Sequence, residues 1–229
     1  MEQKIIFTNA SLFPDLEKPI PASKEIPSWY ASLDSYLGGK KKPDGDGETT
    51  STIKKCMPVF DSMVSGYLIK SPTDVFVSIK NNMSHFEWPS MNPILFHPPS
   101  QAPNHPYYNG DAYPKWNNFW SIKTPKGYST LFVQPFHRES IFTIMPGIVD
   151  TDTYVGPVNF PFVLNDTNFE GLIPKGTPIA QVIPFKRDDW YMEFGKEKEF
   201  KEQENTVKNL RTLFFDSYKT MFRQKKQYK

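Results

Sequence analysis

The sequence has little cysteine, little net charge and no long apolar run, and each of these excludes a class of protein. Its single cysteine, Cys56, cannot form an internal disulfide and is typical of a reducing compartment; we expect a buried structural thiol. The net charge of +2 is too small to indicate nucleic-acid binding. No apolar run approaches the ~20 residues needed to span a bilayer, so no membrane association is expected.

A secretory signal has a basic region followed by an apolar stretch, and the amino-terminal residues do not show this pattern. We therefore expect a cytoplasmic protein.

Proline and phenylalanine are abundant instead. There are 22 prolines and 19 phenylalanines among 229 residues, and the usual share of proline is about 5%. Proline removes a backbone donor and clashes inside helices, so this content is typical of short strands joined by fixed turns. The phenylalanines supply enough bulky volume for a packed core. The composition predicts an all-β fold.

Composition divides the chain into three consecutive parts. Residues 1–52 form a proline-rich arm ending in a loop, residues 38–52, that lacks large apolar side chains and is predicted to be mobile. Residues 53–190 form the β domain, in which the strand-like pattern begins at 53 and a long loop rich in proline and aromatic residues covers 85–120. Residues 191–229 form a basic segment, with ten Lys or Arg against five Asp or Glu from 196 onward.

The last segment changes its periodicity from that of strands to that of a helix. Large apolar residues recur at helical spacing and predict one amphipathic helix of roughly 20–30 residues. The stripe consists of Phe200, Val207, Leu210, Phe214, Tyr218 and Met221.

Three stretches carry a resemblance to a known superfamily. They read TPKGYSTLFVQP (124–135), PGIVDTDTYVGPV (146–158) and IPKGTPIAQVIPFKR (173–187). In order and approximate spacing they resemble the trimeric dUTPases and dCTP deaminases, the β-clip superfamily. The resemblance covers about a quarter of the chain. It implies a β-clip barrel, a homo-oligomer with a trimer favoured, and a nucleotide-like ligand.

The same resemblance implies roles for individual residues. Asp150 would orient a water or grip a sugar hydroxyl, and Tyr154 would pack beneath the sugar. Arg138 would approximate the phosphate-binding element, and Asp152 would belong to the same ligand-binding turn. No metal ligand and no particular cofactor is implied by the residues that match.

Several departures from the superfamily pattern argue against hydrolysis of a triphosphate. One extra residue separates Asp150 from Tyr154, and the stretch PFHRES (135–140) lacks the glycine of the phosphate element. No glycine follows Gly195, so the glycine-rich arm that closes over the triphosphate has no counterpart. Hydrolysis would need dense charge neutralisation around the phosphates. We therefore expect a non-catalytic or divergent protein rather than an active dUTPase.

The residues by themselves leave other interpretations of this turn open. Gly147 and Gly156 could serve only a tight turn, with Asp150 or Asp152 capping it and Tyr154 in the core. The whole chain also resembles a family of phage and bacterial proteins with no assigned activity. A phage structural or accessory assembly protein without a small-molecule site is therefore the alternative, located in the host cytoplasm or the virion.

A second alternative is a cupin-like, metal-dependent oxygenase. His85 and Glu87 are two residues apart and would share one face of a strand, and with a distant histidine they could form a 2-His-1-carboxylate iron site. The aromatic residues of the 85–120 segment have two interpretations of their own: they could stack on bases, or they could fasten the loop to the barrel.

Overall fold

The computed structural model describes residues 3–9, 13, 15–39, 50–81, 83–101, 105–106, 113–212 and 217–229. These residues group into two compact units. The sheet unit comprises residues 1–24 and 66–187, and the helical unit comprises residues 25–65 and 188–229. Both units draw on separate parts of the chain, whereas the division predicted from composition follows the chain in order.

Every strand of the described residues belongs to the sheet unit. In chain order the strands are β1 (Ile6–Asn9), β2 (Ile20–Pro21), β3 (Tyr67–Lys70), β4 (Val75–Lys80), β5 (Met83–Glu87), β6 (Ile94–His97), β7 (Tyr113–Trp116), β8 (Trp120–Lys123), β9 (Tyr128–Val133), β10 (Phe142–Ile144), β11 (Gly147–Val149), β12 (Phe160–Leu164), β13 (Gly171–Ile173) and β14 (Pro178–Lys186).

The strands of the described residues pair antiparallel in four sheets. Their orders are β1-β8, β10-β12-β7-β6, β11-β9-β14-β3-β2 and β13-β4-β5. The prediction of a mainly β fold built from short strands is confirmed. The longest strand, β14, lies in the middle of the five-stranded sheet between β9 and β3, and it buries Ile179, Ala180 and Val182.

Aromatic side chains fill the core of the sheet unit. Trp116, Phe142 and Phe162 are fully buried, and their ring centroids lie 5.1 to 5.4 Å apart. Phe132 and Phe160 form a second buried pair at 5.5 Å. Aromatic pairs at such separations stabilise a core beyond the area that they bury. The high phenylalanine content therefore serves packing.

The prediction of one long loop over 85–120 is wrong, because the segment contains β6, β7 and most of β5. The high proline content of the segment had indicated a loop, but a proline can lie in a strand where its nitrogen needs no partner. Pro114 pairs with Phe96 of β6, but the pairing of β7 with β12 begins only at Lys115, so Pro114 has a strand neighbour on one side. Tyr113, Trp116 and Trp120 are buried, so these three aromatic residues fasten the segment to the core and are not open for base stacking.

The helical unit contains α1 (Ser28–Ser32), α2 (Met57–Val64), α3 (Glu197–Thr212) and α4 (Ser217–Met221). Strand-like composition over 57–64 predicted strands there, and that prediction is wrong. Pro58 lies in the first helical turn, where its missing N–H costs nothing. Met57, Phe60, Met63 and Val64 then recur at helical spacing.

The predicted mobile loop lies mostly outside the described residues, which resume at residue 50. Its two ends are joined, since the Leu37 amide donates to the Thr50 carbonyl at 2.7 Å and the Thr52 amide donates to the Ser35 carbonyl at 3.1 Å.

The carboxy-terminal segment is helical over α3 and α4, and residues 213–216 between them, which include Phe214, lie outside the described part of the chain. The apolar stripe is exposed at Phe200, Val207, Leu210, Tyr218 and Met221. Among the described residues, no helix combines the length and the apolar character that crossing a bilayer demands.

A buried carboxylate ties α2 to the end of the chain within the helical unit. Asp61 accepts hydrogen bonds from Arg223 Nη2 at 2.7 Å and from Lys226 Nζ at 3.3 Å. Burial by itself raises the pKa of Asp61, but the hydrogen bonds from Arg223 and Lys226 outweigh it and hold the pKa below its ordinary value. The Arg223 guanidinium also lies over the Phe60 ring, 5.4 Å from its centroid.

Asp61→Asn should lower the free energy of unfolding by about 3 kcal/mol at pH 7, because Arg223 is then buried without its counter-charge. The pKa of Asp61 is depressed in the folded protein, so the contribution is present above about pH 4 and is lost as the pH falls below that. Urea denaturation between pH 7 and pH 3 measures both effects. Glu197→Gln, which breaks the exposed pair with Lys201, is the control and should cost less than about 0.5 kcal/mol. Equal costs for the two variants would contradict the assignment.

Gly66 is required by a close approach of two strands. Its φ is +72°, and a Cβ there would lie 2.0 Å from the carbonyl oxygen of Val182 in β14. Gly66→Ala should destabilise the protein by about 2–4 kcal/mol, from the left-handed conformation and the backbone clash together. Gly176→Ala is a matched control, since Gly176 has φ +83° and open space around it, and should cost only about 1–2 kcal/mol. Chemical denaturation measures the free energy of unfolding of both variants. The excess loss in Gly66→Ala over Gly176→Ala is the cost of the clash, and equal losses would show that the backbone moves to relieve it.

Candidate functional site

The turn after β11, residues 150–156, contains three of the four site residues predicted from the sequence. The Asp150 carbonyl accepts the amides of Thr153 at 3.0 Å and Tyr154 at 2.8 Å, which closes the turn. Thr151 anchors it from below: its buried hydroxyl lies 2.8 Å from the Thr124 hydroxyl and 2.7 Å from that of Thr130. Because Thr151 points inward, its neighbours Asp150 and Asp152 point away from the core of the sheet unit.

Asp150 presents an exposed carboxylate that is held at one oxygen. Its side chain is 61% exposed. The Ser129 hydroxyl donates to Oδ1 at 2.6 Å, and Arg187 Nη1 donates to the same oxygen at 3.1 Å. Among the described residues no donor reaches Oδ2. The carboxylate is therefore oriented by the protein while one of its oxygens faces solvent.

Asp152 lies in the same turn in a different environment. Its side chain is only 3% exposed, and it accepts hydrogen bonds from both Arg187 Nη atoms and from the Gly127 amide at 2.8 Å. The hydrogen bonds from Arg187, followed by the one from Gly127, hold the pKa of Asp152 at about 2. Asp152 thus holds Gly127 and Arg187, which both lie outside its own turn, whereas Asp150 has an open oxygen.

Arg187 joins the two carboxylates, and the sequence analysis missed it. Besides Asp150 and Asp152, its Nη1 donates to the Tyr128 carbonyl at 2.9 Å and to the Ser129 hydroxyl at 3.0 Å. The hydrogen bonds that Arg187 donates to Asp152, ahead of the charges of both carboxylates, raise the pKa of Arg187. Two carboxylates and one guanidinium leave the cluster with a formal charge of −1.

A pairing of strands explains the position of Arg187. Lys186 of β14 pairs with Tyr128 of β9, and the Arg187 amide donates to the Gly127 carbonyl at 2.8 Å. The residue was visible as the last letter of the third motif, IPKGTPIAQVIPFKR. Only the register of β14 against β9 shows that this end of the third motif lies beside the start of the first, from where the Arg187 side chain reaches the second.

Arg138 was predicted to be the cation of the site. It lies half-buried directly after the turn at Phe136 and His137 that follows β9, and it makes interactions of its own. The cation that the structure places on Asp150 is Arg187. A role of Arg138 toward a ligand stays a prediction.

Tyr154 is 50% exposed, so the interpretation of this residue as part of the core is wrong. Its hydroxyl donates to the Pro157 carbonyl at 3.1 Å, which fixes the ring over the turn. Gly156 makes room for it, since a Cβ there would lie 2.7 Å from the Tyr154 hydroxyl oxygen. The ring is thus held in place while half of its surface stays open.

The other candidates for chemistry are separate from this turn. His85 and Glu87 are both exposed on β5, and Glu87 forms an ion pair with Lys80 at 2.7 Å. Across the described residues there is no group of three or more His, Cys, Asp or Glu arranged to hold a metal ion. Cys56 is exposed, so the expectation of a buried structural thiol is wrong.

A cavity of about 270 Å³ also lies in the sheet unit, and no residue of the 150 turn lines it. Its wall includes Asp15, Lys175, the buried Thr73 and Met91, whose φ is +63°.

The comparisons with known proteins find likenesses among solved structures alone. No family model matches the chain, and no curated protein matches it. Among solved structures, the chain is similar to a point mutant of the dUTPase of Staphylococcus bacteriophage 80alpha, solved with dUpNHpp. The match has 17% sequence identity and covers 58% of this chain and 76% of that one, with a TM-score of 0.31. At that TM-score the shared fold is not demonstrated, and function has to be argued from the residues.

Asp152→Asn should lower the thermal unfolding midpoint much more than Asp150→Asn, because the Asp152 carboxylate is buried under Arg187 and the Asp150 carboxylate is not. The folded pKa of Asp152, about 2, lies below its ordinary 3.8, so its stabilising effect is complete above about pH 4 and is lost as the pH falls toward 2.

Thermal melts between pH 7 and pH 2 check this prediction. The difference between the wild-type protein and Asp152→Asn should shrink through that acid range. A difference that stays constant with pH, or an Asp150→Asn variant that is equally destabilised, would contradict the division of roles between the two carboxylates.

Proposed function

We propose that the protein binds a nucleotide-like ligand at the 150 turn and is a divergent, non-hydrolysing relative of the β-clip dUTPases. One observation carries the proposal: an oriented aspartate with an open oxygen lies in the same short turn as a fixed, half-exposed tyrosine ring. An oxygen that only accepts hydrogen bonds suits a hydroxyl donor, and the open ring face suits a sugar or a base.

The electrostatics of the cluster indicate which part of the ligand binds there. Arg187 already serves Asp150 and Asp152, and the three side chains together keep a formal charge of −1. Such a cluster repels phosphate and attracts donors. We therefore assign the Asp150 oxygen Oδ2 to a sugar hydroxyl. Phosphates would have to lie on the side of the turn away from the carboxylates, where Arg138 is the predicted partner.

The same balance supports binding rather than hydrolysis. Asp152 is buried under the guanidinium with its pKa at about 2, so this carboxylate is not placed to take up a proton near neutral pH.

An assembly function is the second candidate, favoured by a specific observation. Ile148, Tyr154 and Val155 are exposed apolar residues on and after β11, which is an edge strand of its sheet. Exposed apolar surface along a sheet edge is typical of a protein contact. In this account the chain is a phage structural or accessory protein that acts in the host cytoplasm or the virion. A homo-oligomer, with a trimer favoured, belongs to either proposal.

Ligand binding is tested by thermal melts of the wild-type protein with deoxyuridine and a panel of deoxynucleotides. A saturating ligand should stabilise the wild-type protein by roughly 2–4 kcal/mol. Asp150→Asn keeps an oxygen for Ser129 and Arg187 but replaces the open oxygen by a donor. It should therefore leave the unliganded protein within about 1 kcal/mol of the wild type and abolish the stabilisation by ligand.

Asp34→Asn is the matched control, because Asp34 is an exposed aspartate of the helical unit and its loss changes the net charge equally. It should keep the full response to ligand. No stabilisation of the wild-type protein by any member of the panel would reject the ligand site and leave the assembly function.

A further inference from the structure

The segment between β14 and α3 is the most exposed apolar stretch among the described residues. Residues 188–195, here called the aromatic arm, form neither helix nor strand. Trp190 and Tyr191 are 88% exposed, Met192 is 82% exposed and Phe194 is 81% exposed. Four large apolar side chains within five residues therefore lie almost entirely in water.

Such exposure contrasts with the burial of the bulky residues in the core of the sheet unit. Trp116 and Trp120 are buried, and the phenylalanines of the core are fully enclosed. Burying a large apolar side chain contributes about 1.5–3 kcal/mol, and soluble monomers seldom leave contiguous apolar patches open. The aromatic arm therefore has the character of a contact segment.

One sheet face of the same chain carries three exposed apolar side chains beside polar ones, which are Ser78, Lys80, His85 and Glu87. In the three-stranded sheet β13-β4-β5, Leu172 pairs in register with Phe76, and these side chains are 41% and 50% exposed. Met83 of β5 is exposed on the same face. Phe76 pairs with Glu87 of β5, and Met83, four residues before Glu87 in that strand, points the same way. The opposite face carries Val75, Val77 and Ile173, which are buried in the core. We call the exposed side the outer face.

We propose that the aromatic arm of one copy of this chain docks on the outer face of a second copy. In an extended chain alternate side chains point the same way, so Trp190, Met192 and Phe194 would face the sheet together. Glu193, which lies between two of them, would point to solvent. The arm and the outer face are then covered by a single contact.

The area supports a second copy as the occupant. Each buried aromatic side chain removes about 150–250 Å² from water, so Trp190 and Phe194, the two aromatic residues of one arm that face the sheet, account for roughly 300–500 Å². Exchange between two copies doubles this area to about 600–1,000 Å², and the receiving faces add a similar amount. The total reaches the ~1,200–2,000 Å² of a stable protein interface, whereas one arm on an unrelated protein gives only about half of that area.

Disulfide trapping with two different single-cysteine proteins tests the contact directly. In a Cys56→Ser background, one protein carries Met192→Cys and the other carries Leu172→Cys. Their mixture should give a disulfide-linked pair under mild oxidation, because the two Cα atoms must approach within about 7 Å for the bond to form. The link can form only between copies. The control mixture pairs Met192→Cys with Asp34→Cys, an exposed position in the helical unit, and should give at least tenfold less product.

The oligomeric state provides the second readout, and it does not depend on cysteine chemistry. The wild-type protein should be an oligomer at micromolar concentration by light scattering, and Trp190→Ser combined with Phe194→Ser should make it monomeric without loss of folding, since both side chains are exposed. Ile6→Ser, which changes an exposed apolar residue of β1, should leave the oligomer intact. A monomeric wild-type protein, an arm variant that stays oligomeric, or equal trapping in the two mixtures would overturn the proposal. None of these results depends on ligand binding at Asp150.

Discussion

The ion pair between Arg187 and Asp152 is the contact on which the candidate site depends. It joins the end of β14 to the turn after β11, and it places the Arg187 guanidinium within reach of Asp150 as well. Since Asp152 is buried and Asp150 is not, one carboxylate holds the arginine and the arginine then orients the other. The site is thus built from the middle of the five-stranded sheet outward, and the open oxygen of Asp150 is a consequence of that arrangement.

The parts of the fold that depend on local pattern could be predicted from the sequence. A mainly β protein follows from short β-branched and aromatic runs between prolines, and the helical periodicity of the last segment matches α3 and α4. Two local predictions were wrong. The strand β7 was missed because it contains Pro114, although a proline at the end of a ladder costs little stability. The helix α2 was missed because residues 57–64 have the composition of a strand, although their apolar residues recur at helical spacing.

The candidate site could be predicted only in part, because half of it depends on long-range register. The motif around Asp150 and Tyr154 was visible in the sequence, and so was the presence of a turn. What the sequence alone could not show was the choice of cation, since Arg138 and Arg187 are both near the motifs in sequence. The pairing of Lys186 with Tyr128 brings Arg187 to the turn. The different burial of Asp150 and Asp152 likewise depends on long-range contacts, since the Arg187 guanidinium and the Gly127 amide cover Asp152.

The central claim is that the 150 turn is a binding site whose acceptor is Asp150. Nuclear magnetic resonance titration of the wild-type protein with deoxyuridine and its phosphates tests it most directly, with the backbone amides as reporters. The account predicts saturable shifts at residues 150–156 and at Gly127, whose amide bonds to Asp152. An absence of saturable shifts in these residues up to millimolar ligand, or shifts confined to other parts of the sheet unit, would contradict it.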